Sequence, residues 1–114
     1  MLLWHRRRRR RPSARLTRSG IRRRCYGEDR FVAFSAIASI RAYKLDLLTY
    51  DNIAFAFCDE AGDVLLAVAE DDDGWPDLLA WVEALPPDHP NWWSAVALPA
   101  FARNETVIWR RPAA

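Results

Sequence analysis

The stretch DNIAFAFCDEAGDVLLAVA, residues 51–69, decides the fold of this chain. Over residues 53–58 bulky Ile and Phe alternate with Ala and Cys, so the bulky side chains share one face of a β-strand, which is expected in the core. Residues 61–63 are turn formers, and the unbroken apolar run 64–69 is typical of a strand buried on both faces. Residues 51–69 therefore predict an antiparallel hairpin.

The residues before this hairpin predict further antiparallel strands. From Ser13 the pattern is strand-like, and Ser19-Gly20 suits a tight hairpin turn. Residues 27–29 are a second turn signal, and the apolar residues 31–34 follow them. Residues 35–48 fit a helical turn or a strand, and we interpret them as a short turn followed by a strand.

One helix is predicted over residues 75–85. Asp72 or Asp73 is expected to cap its first amides, and Pro86-Pro87 is expected to end it. A loop follows, and residues 106–110 predict a last strand. The apolar stripe that would dock the helix consists of Trp75, Leu78, Leu79, Val82 and Leu85.

Together these elements predict an α+β fold: a curled antiparallel sheet or small barrel, with one helix packed across it and a closing C-terminal strand. Residues 13–114 are expected to form this single domain, since 114 residues suffice for one hydrophobic core. Residues 1–12 are expected to form a disordered Arg-rich arm, because their consecutive like charges repel one another.

The charge of the chain is divided between its two ends. Residues 1–30 hold twelve arginines against two acids, whereas residues 31–114 hold five basic residues against thirteen acids. The basic N-terminal segment could attract nucleic acid or an anionic membrane. A passive arm and an organelle-targeting peptide remain alternatives for it. The residues concerned are Arg6, Arg7, Arg8, Arg9, Arg10 and Arg11.

Sequence motifs for catalysis and for metal or cofactor binding are missing from this chain. Two cysteines are too few for a disulfide framework, and no CxxC pair or GxSxG elbow is present. The acidic run before Gly74 fails the ligand spacing of an EF-hand calcium loop. We therefore expect no catalytic residues, no metal ligands, no cofactor and no enzymatic activity.

Polar and aromatic residues nevertheless cluster in two places. One interpretation is a turn with a surface ion pair between Lys44 and Asp46, and the other is a site at which a protein partner binds. Trp92-Trp93 joins the candidate site, because consecutive residues of a strand cannot both point inward. The candidate partner-binding residues are Tyr43, Lys44, Asp46, Tyr50, Asp51, Trp92 and Trp93.

The middle and the end of the chain form a longer pattern. It consists of Ile37-x-x-Ile40-x-Ala42-Tyr43-Lys44-x-Asp46-x-x-Thr49-x-Asp51, then Glu70, Gly74-Trp75, Leu85-Pro86, Trp92 or Trp93, and Val96-x-x-Pro99-x-Phe101-x-x-Asn104-x-Thr106-x-x-Trp109-x-Arg111. It resembles a family of small uncharacterised bacterial proteins, and the strand–turn–strand opening resembles pleckstrin-homology-like bacterial modules. The resemblance covers about residues 14–111 and implies a bacterial, cytoplasmic protein, without implying an activity. A pleckstrin-homology barrel ends in its capping helix, whereas a strand is predicted to follow the helix here.

We therefore expect a cytoplasmic, non-enzymatic binding module that recognises a protein partner through a sheet edge or an aromatic groove. An immunity-type protein that blocks a toxin is one concrete version. The alternative is an adaptor that docks on nucleic acid or an anionic membrane through its N-terminal Arg arm.

Overall fold

The computed structural model describes residues 11–46, 51–88, 92–97 and 105–112. It is an α+β fold, as predicted, and its strands form two antiparallel sheets, A and B, that do not close into a barrel. In chain order the elements are β1 (Ser13–Leu16), β2 (Gly20–Cys25), β3 (Glu28–Ala33), a 3-10 helix (Phe34–Ala36), β4 (Ser39–Asp46), β5 (Asp51–Cys58), β6 (Val64–Ala69), α1 (Trp75–Glu83), α2 (Trp92–Ala97) and β7 (Thr106–Arg110).

Sheet A is a meander of β1, β2 and β3. Its first hairpin turns over residues 17–19, where the Thr17 hydroxyl accepts a hydrogen bond from the Gly20 amide at 3.1 Å. Its second hairpin turns at Tyr26-Gly27, and both residues have positive φ, 48° and 87°. Positive φ at both central residues is the signature of a type I′ turn, whose twist matches that of the flanking strands.

Sheet B has the strand order β6-β5-β4-β7, so the C-terminal strand pairs with β4 and not with its neighbours in sequence. The β4–β5 register runs from Ser39 opposite Cys58 to Asp46 opposite Asp51, which confirms the strand predicted within residues 35–48. The predicted hairpin of residues 51–69 is confirmed as β5 and β6. Because the strands alternate, Ile53, Phe55 and Phe57 share one face of the sheet.

Both α-helices pack over this bulky face. The ring of Trp75 in α1 stacks on Phe55 at a centroid distance of 4.6 Å, and the ring of Trp92 in α2 meets Phe55 edge-on at 5.6 Å. Trp81, on a neighbouring face of α1, stacks on Phe34 at 4.9 Å. The core is therefore an aromatic layer between sheet B and the helices, and such ring pairs contribute beyond their buried area.

Two predictions about the helices are corrected. Neither Asp72 nor Asp73 caps α1: its N-cap is Gly74, and no side chain bonds to the first amides. The Asp72 carboxylate instead accepts a hydrogen bond from the Ala69 amide at 2.8 Å, so it is already engaged in the turn before the helix. The chain also forms a second helix, α2, where we predicted a loop. Of the docking stripe, Trp75, Leu78 and Val82 are buried, and Leu79 is only partly buried.

The turn before α1 fastens sheet A to the rest of the molecule. Backbone hydrogen bonds run from the Ala14 amide to the Asp73 carbonyl at 2.9 Å and from the Asp73 amide to the Pro12 carbonyl at 3.0 Å. Arg23 on β2 and Asp72 form a buried ion pair at 3.1 Å, with side chains 16% and 8% exposed. Gly74 has a φ of 92°, and a Cβ there would overlap the Ala14 carbonyl oxygen. The sequence therefore needs glycine at this close approach.

None of the helices in the described ranges combines the length and the apolar character needed to cross a bilayer.

Candidate functional site

The two faces of sheet A differ sharply in chemistry. On its inner face Ala14, Ile21 and Val32 are buried in the core. On its outer face the register places Arg15 opposite Arg22, and Arg22 opposite Phe31. The next row brings Ser13, Arg24 and Asp29 together. We call this outer surface, made of Arg15, Arg22, Arg24, Asp29 and Phe31, the basic face.

Asp29 neutralises only part of the basic face. Its two carboxylate oxygens meet Arg22 at 3.0 Å and Arg24 at 3.6 Å, and all three side chains are well exposed. Within the described part of the chain no acid pairs with Arg15, which lies directly opposite Arg22. Like charges in directly opposed positions destabilise a sheet. The basic face therefore carries an excess of positive charge that an anion between Arg15 and Arg22 would relieve.

Two aromatic side chains accompany these arginines. Phe31 is 42% exposed, and the Arg22 guanidinium lies 5.6 Å from its ring centroid, within the range of a cation–π contact. The Phe31 ring also reaches Gly20, where an added Cβ would come within 2.7 Å of the ring. Tyr26, at the tip of the β2–β3 turn, is 86% exposed. Basic and aromatic groups are thus interleaved on this surface.

An open groove of about 920 Å³ adjoins the basic face beside the Tyr26 turn. Arg11, Arg15 and Arg24 contribute its positive charge, and Glu28, Asp29 and Asp73 contribute its negative charge. Arg15 and Arg24 belong both to the groove and to the basic face, so the groove and the basic face form one continuous surface. Arg11 also belongs to it, and Arg11 is the last residue of the arginine run of the sequence.

The inner face of sheet A carries the arginine that attaches the sheet to the rest of the molecule. Arg23 alternates with Arg22 and Arg24 along β2, so it points to the opposite side, where it pairs with Asp72. Its guanidinium also donates a hydrogen bond to the Ser13 carbonyl at 3.5 Å. Arg23 is therefore a structural arginine, and its two neighbours are the ones available to a partner.

The residues that the sequence suggested as a partner-binding cluster do not share one accessible surface. Lys44 is only 4% exposed, so its ammonium group is not on the surface, where both interpretations of the cluster placed it. The reason is strand alternation: Lys44 follows Ile40 and Ala42 on the core side of β4, opposite Ile53. Tyr43, on the other side of β4, is half-buried and engaged in a contact.

The remaining members of that cluster divide in the same way. Trp92 is buried against Phe55, whereas Trp93 is 45% exposed and meets the Trp92 ring edge-on at 5.2 Å. Asp46 and Asp51 end the paired segments of β4 and β5, opposite each other. Tyr50 lies outside the described residues. A role in partner binding for these residues stays a prediction. Among the described residues of the cluster, Trp93 has an exposed ring.

A second groove, of about 700 Å³, lies at the other end of the molecule beside β4 and β7. Its arginines are paired with acids: Arg41 with Glu105 at 3.8 Å, Arg110 with Asp88 at 3.5 Å, and Arg111 with Glu60 at 3.5 Å. This pairing leaves the groove without the charge excess of the basic face.

Cys58 is buried on β5 near the second groove. Its burial raises the pKa of the thiol, and the nearby Arg41 opposes the shift in part. A thiol with a raised pKa is a poor nucleophile at neutral pH. Among the described residues, no group of His, Cys, Asp and Glu side chains is placed to hold a metal ion.

The basic face was missed by reading along the sequence, because Arg22 and Phe31 become neighbours only when β2 pairs with β3. The sequence signal that could have revealed the basic face is the turn at Tyr26-Gly27, because this turn fixes the register of β2 against β3.

Comparison of the chain with protein-family models, with curated proteins and with solved structures found no match.

Proposed function

We propose that this chain is a non-enzymatic binding module that docks on nucleic acid through the basic face. The observation that carries the proposal is the convergence of Arg15, Arg22 and Arg24 on one exposed side of a sheet. Guanidinium groups bind phosphate oxygens in a bidentate manner, and their planar fork loses less freedom per hydrogen bond than a lysine ammonium group does. Arg11, the last residue of the N-terminal arginine run, would add a phosphate contact next to this face.

Charge distribution favours a nucleic acid over a bilayer as the partner. The chain outside its first thirty residues carries an excess of acids, thirteen against five basic residues. A planar membrane is broad and would also face these acids, whereas a nucleic acid strand can follow the basic face alone. Repulsion from acids more than about 8 Å away is largely screened at physiological salt.

The test is the salt dependence of binding, measured by fluorescence anisotropy with labelled oligonucleotides. If three arginines neutralise three phosphates of a single strand, affinity should fall about 20-fold between about 50 and 200 mM salt. Replacing one contacting arginine should lower the slope of log affinity against log salt by about 0.7. Arg15→Gln is the informative variant, because Arg15 has no acid partner among the described residues.

Arg110→Gln is the matched control, because it removes the same charge from an exposed side chain on β7. The proposal requires Arg15→Gln to change the slope and Arg110→Gln to leave it unchanged. Equal effects of both variants would show that the attraction depends on the net charge of the chain and not on the basic face. Binding to phosphatidylserine vesicles alone would show that the partner is a membrane.

A protein partner is the second candidate, including the immunity-type version. The exposed indole of Trp93 beside the buried Trp92 favours it, because tryptophan is frequent among residues that dominate protein interfaces. Trp93→Ala should then abolish capture of a specific partner without lowering the melting temperature. An unchanged set of captured proteins would remove this candidate.

A further inference from the structure

The backbone at Tyr26 is unusual for its residue type. Tyr26 has a φ of 48°, and no other non-glycine residue among the described ranges has a positive φ. Type I′ turns favour Gly, which has no Cβ to crowd the following carbonyl oxygen, or Asn and Asp, whose short polar side chains can form local hydrogen bonds. The turn therefore carries a residue that local backbone preference disfavours.

Packing does not explain this choice. Tyr26 is 86% exposed, which is more than any other large hydrophobic residue in the described ranges. Its ring forms no aromatic contact with any residue in the described ranges. Strain maintained without a folding benefit points to function at that position.

The surroundings of Tyr26 indicate which function. The residue borders the groove that holds Arg11, Arg15 and Arg24, so an exposed ring stands beside three guanidinium groups. Phe31, the second exposed ring of sheet A, lies on the basic face next to Arg22. Acids balance the arginines within the groove itself, whereas the adjoining basic face carries the positive excess. Aromatic rings beside such a basic surface are the arrangement by which proteins hold single-stranded nucleic acids: the bases stack and the cations follow the backbone.

We propose that the partner of this surface is a single-stranded nucleic acid, and that Tyr26 is the residue on which one of its bases stacks. The proposal rests on the function proposed above and narrows it, because the bases of a duplex are already stacked on one another. Arg15 and Arg24 hold the phosphates that flank the stacked base. Sequence preference is expected to be weak, since every base offers a π-face.

The test compares three forms of the full-length chain: wild type, Tyr26→Phe and Tyr26→Asn. The ligands are labelled oligodeoxythymidylate, the same length of strand with abasic sites, and a duplex. Tyr26→Asn should weaken binding to the oligodeoxythymidylate by about 5- to 150-fold, the range measured for loss of one stacked base. Tyr26→Phe retains the ring and should bind as wild type does. All three forms of the chain should bind the duplex with the same affinity.

The abasic strand keeps the phosphates and lacks the bases, so it isolates stacking from charge. Wild type should bind it more weakly than the oligodeoxythymidylate, and Tyr26→Asn should discriminate less between the two strands than wild type does. Tyr26→Asn should also raise the melting temperature by a few degrees, because asparagine tolerates the positive φ. A loss of binding together with a gain in stability excludes misfolding as the cause.

The outcomes separate this inference from the function on which it rests. If Tyr26→Asn binds the oligodeoxythymidylate as tightly as wild type while Arg15→Gln weakens it, the stacking role is wrong and docking through the basic face stands. If no strand or duplex binds and phosphatidylserine vesicles do, both proposals are wrong.

Discussion

The ion pair between Arg23 and Asp72 should be a main point of attachment of sheet A, and Asp72→Ala tests this. The carboxylate is buried and has two partners: the Arg23 guanidinium at 3.1 Å and the Ala69 amide at 2.8 Å. Removing it leaves a guanidinium that is 16% exposed without a counter-charge and an amide without an acceptor.

The size of the effect follows from those two losses. A buried donor left without a partner costs about 1–3 kcal/mol, and breaking a buried ion pair by removing one partner costs about 3–5 kcal/mol. These two costs should not be added in full, because both include the loss of the same carboxylate. We therefore expect Asp72→Ala to lower the free energy of unfolding by about 3–4 kcal/mol, a large part of the stability of a domain of this size.

The assay is urea unfolding followed by tryptophan fluorescence, since urea, unlike guanidinium chloride, does not screen charge. Asp73→Ala is the matched control, because the neighbouring carboxylate is exposed and its loss should cost within about 0.5 kcal/mol. A double-mutant cycle with Arg23→Met should give a coupling energy of about 1–2 kcal/mol. An Asp72→Ala cost as small as that of the control would refute the idea that this pair secures sheet A.

Three further predictions follow from packing and burial. Gly74→Ala should destabilise the fold by more than about 2 kcal/mol in urea unfolding, because of its positive φ and the overlap with Ala14, and a smaller cost would mean that the loop can move away. Leu78→Ala should cost about 2–5 kcal/mol and Leu79→Ala less, and the reverse order would show that the wrong side of α1 was assigned to the core. Because burial raises the pKa of the Cys58 thiol, its contribution to stability is complete below the unfolded pKa and is lost as pH rises through the folded pKa. Stability measured from pH 7 upward should therefore decline more steeply for wild type than for Cys58→Ala, and parallel declines would contradict the shift.

Local patterns predicted most of the strands because period-two alternation reports directly on a half-buried strand. The strand of residues 51–58 is the clearest case, and the hairpin turn at Ser19-Gly20 is another. The helix α2 was missed because its six residues are too few to show a helical period. The pairing of β4 with β7 had no signal at all, since nothing in either segment specifies a distant partner.

The candidate site was harder to predict than the fold. Lys44 was interpreted by its charge, although its place after Ile40 and Ala42 already indicated the core side of β4. The basic face depends on three strands being side by side, so paired residues that are five to nine positions apart in sequence act together. The arginine excess of the first thirty residues was visible in the sequence, but the alternation that buries Arg23 and exposes its neighbours needed the register.

The position of β7 in sheet B has a consequence for biosynthesis. β4 lies between β5 and β7, so it becomes an edge of the sheet in any chain that lacks β7 (Thr106–Arg110). One side of β4 then presents unpaired amides and carbonyls over residues 39–42, where β7 pairs with it. Such an edge can pair with another incomplete chain. Translation products that end before residue 106 should therefore aggregate more than the full-length chain.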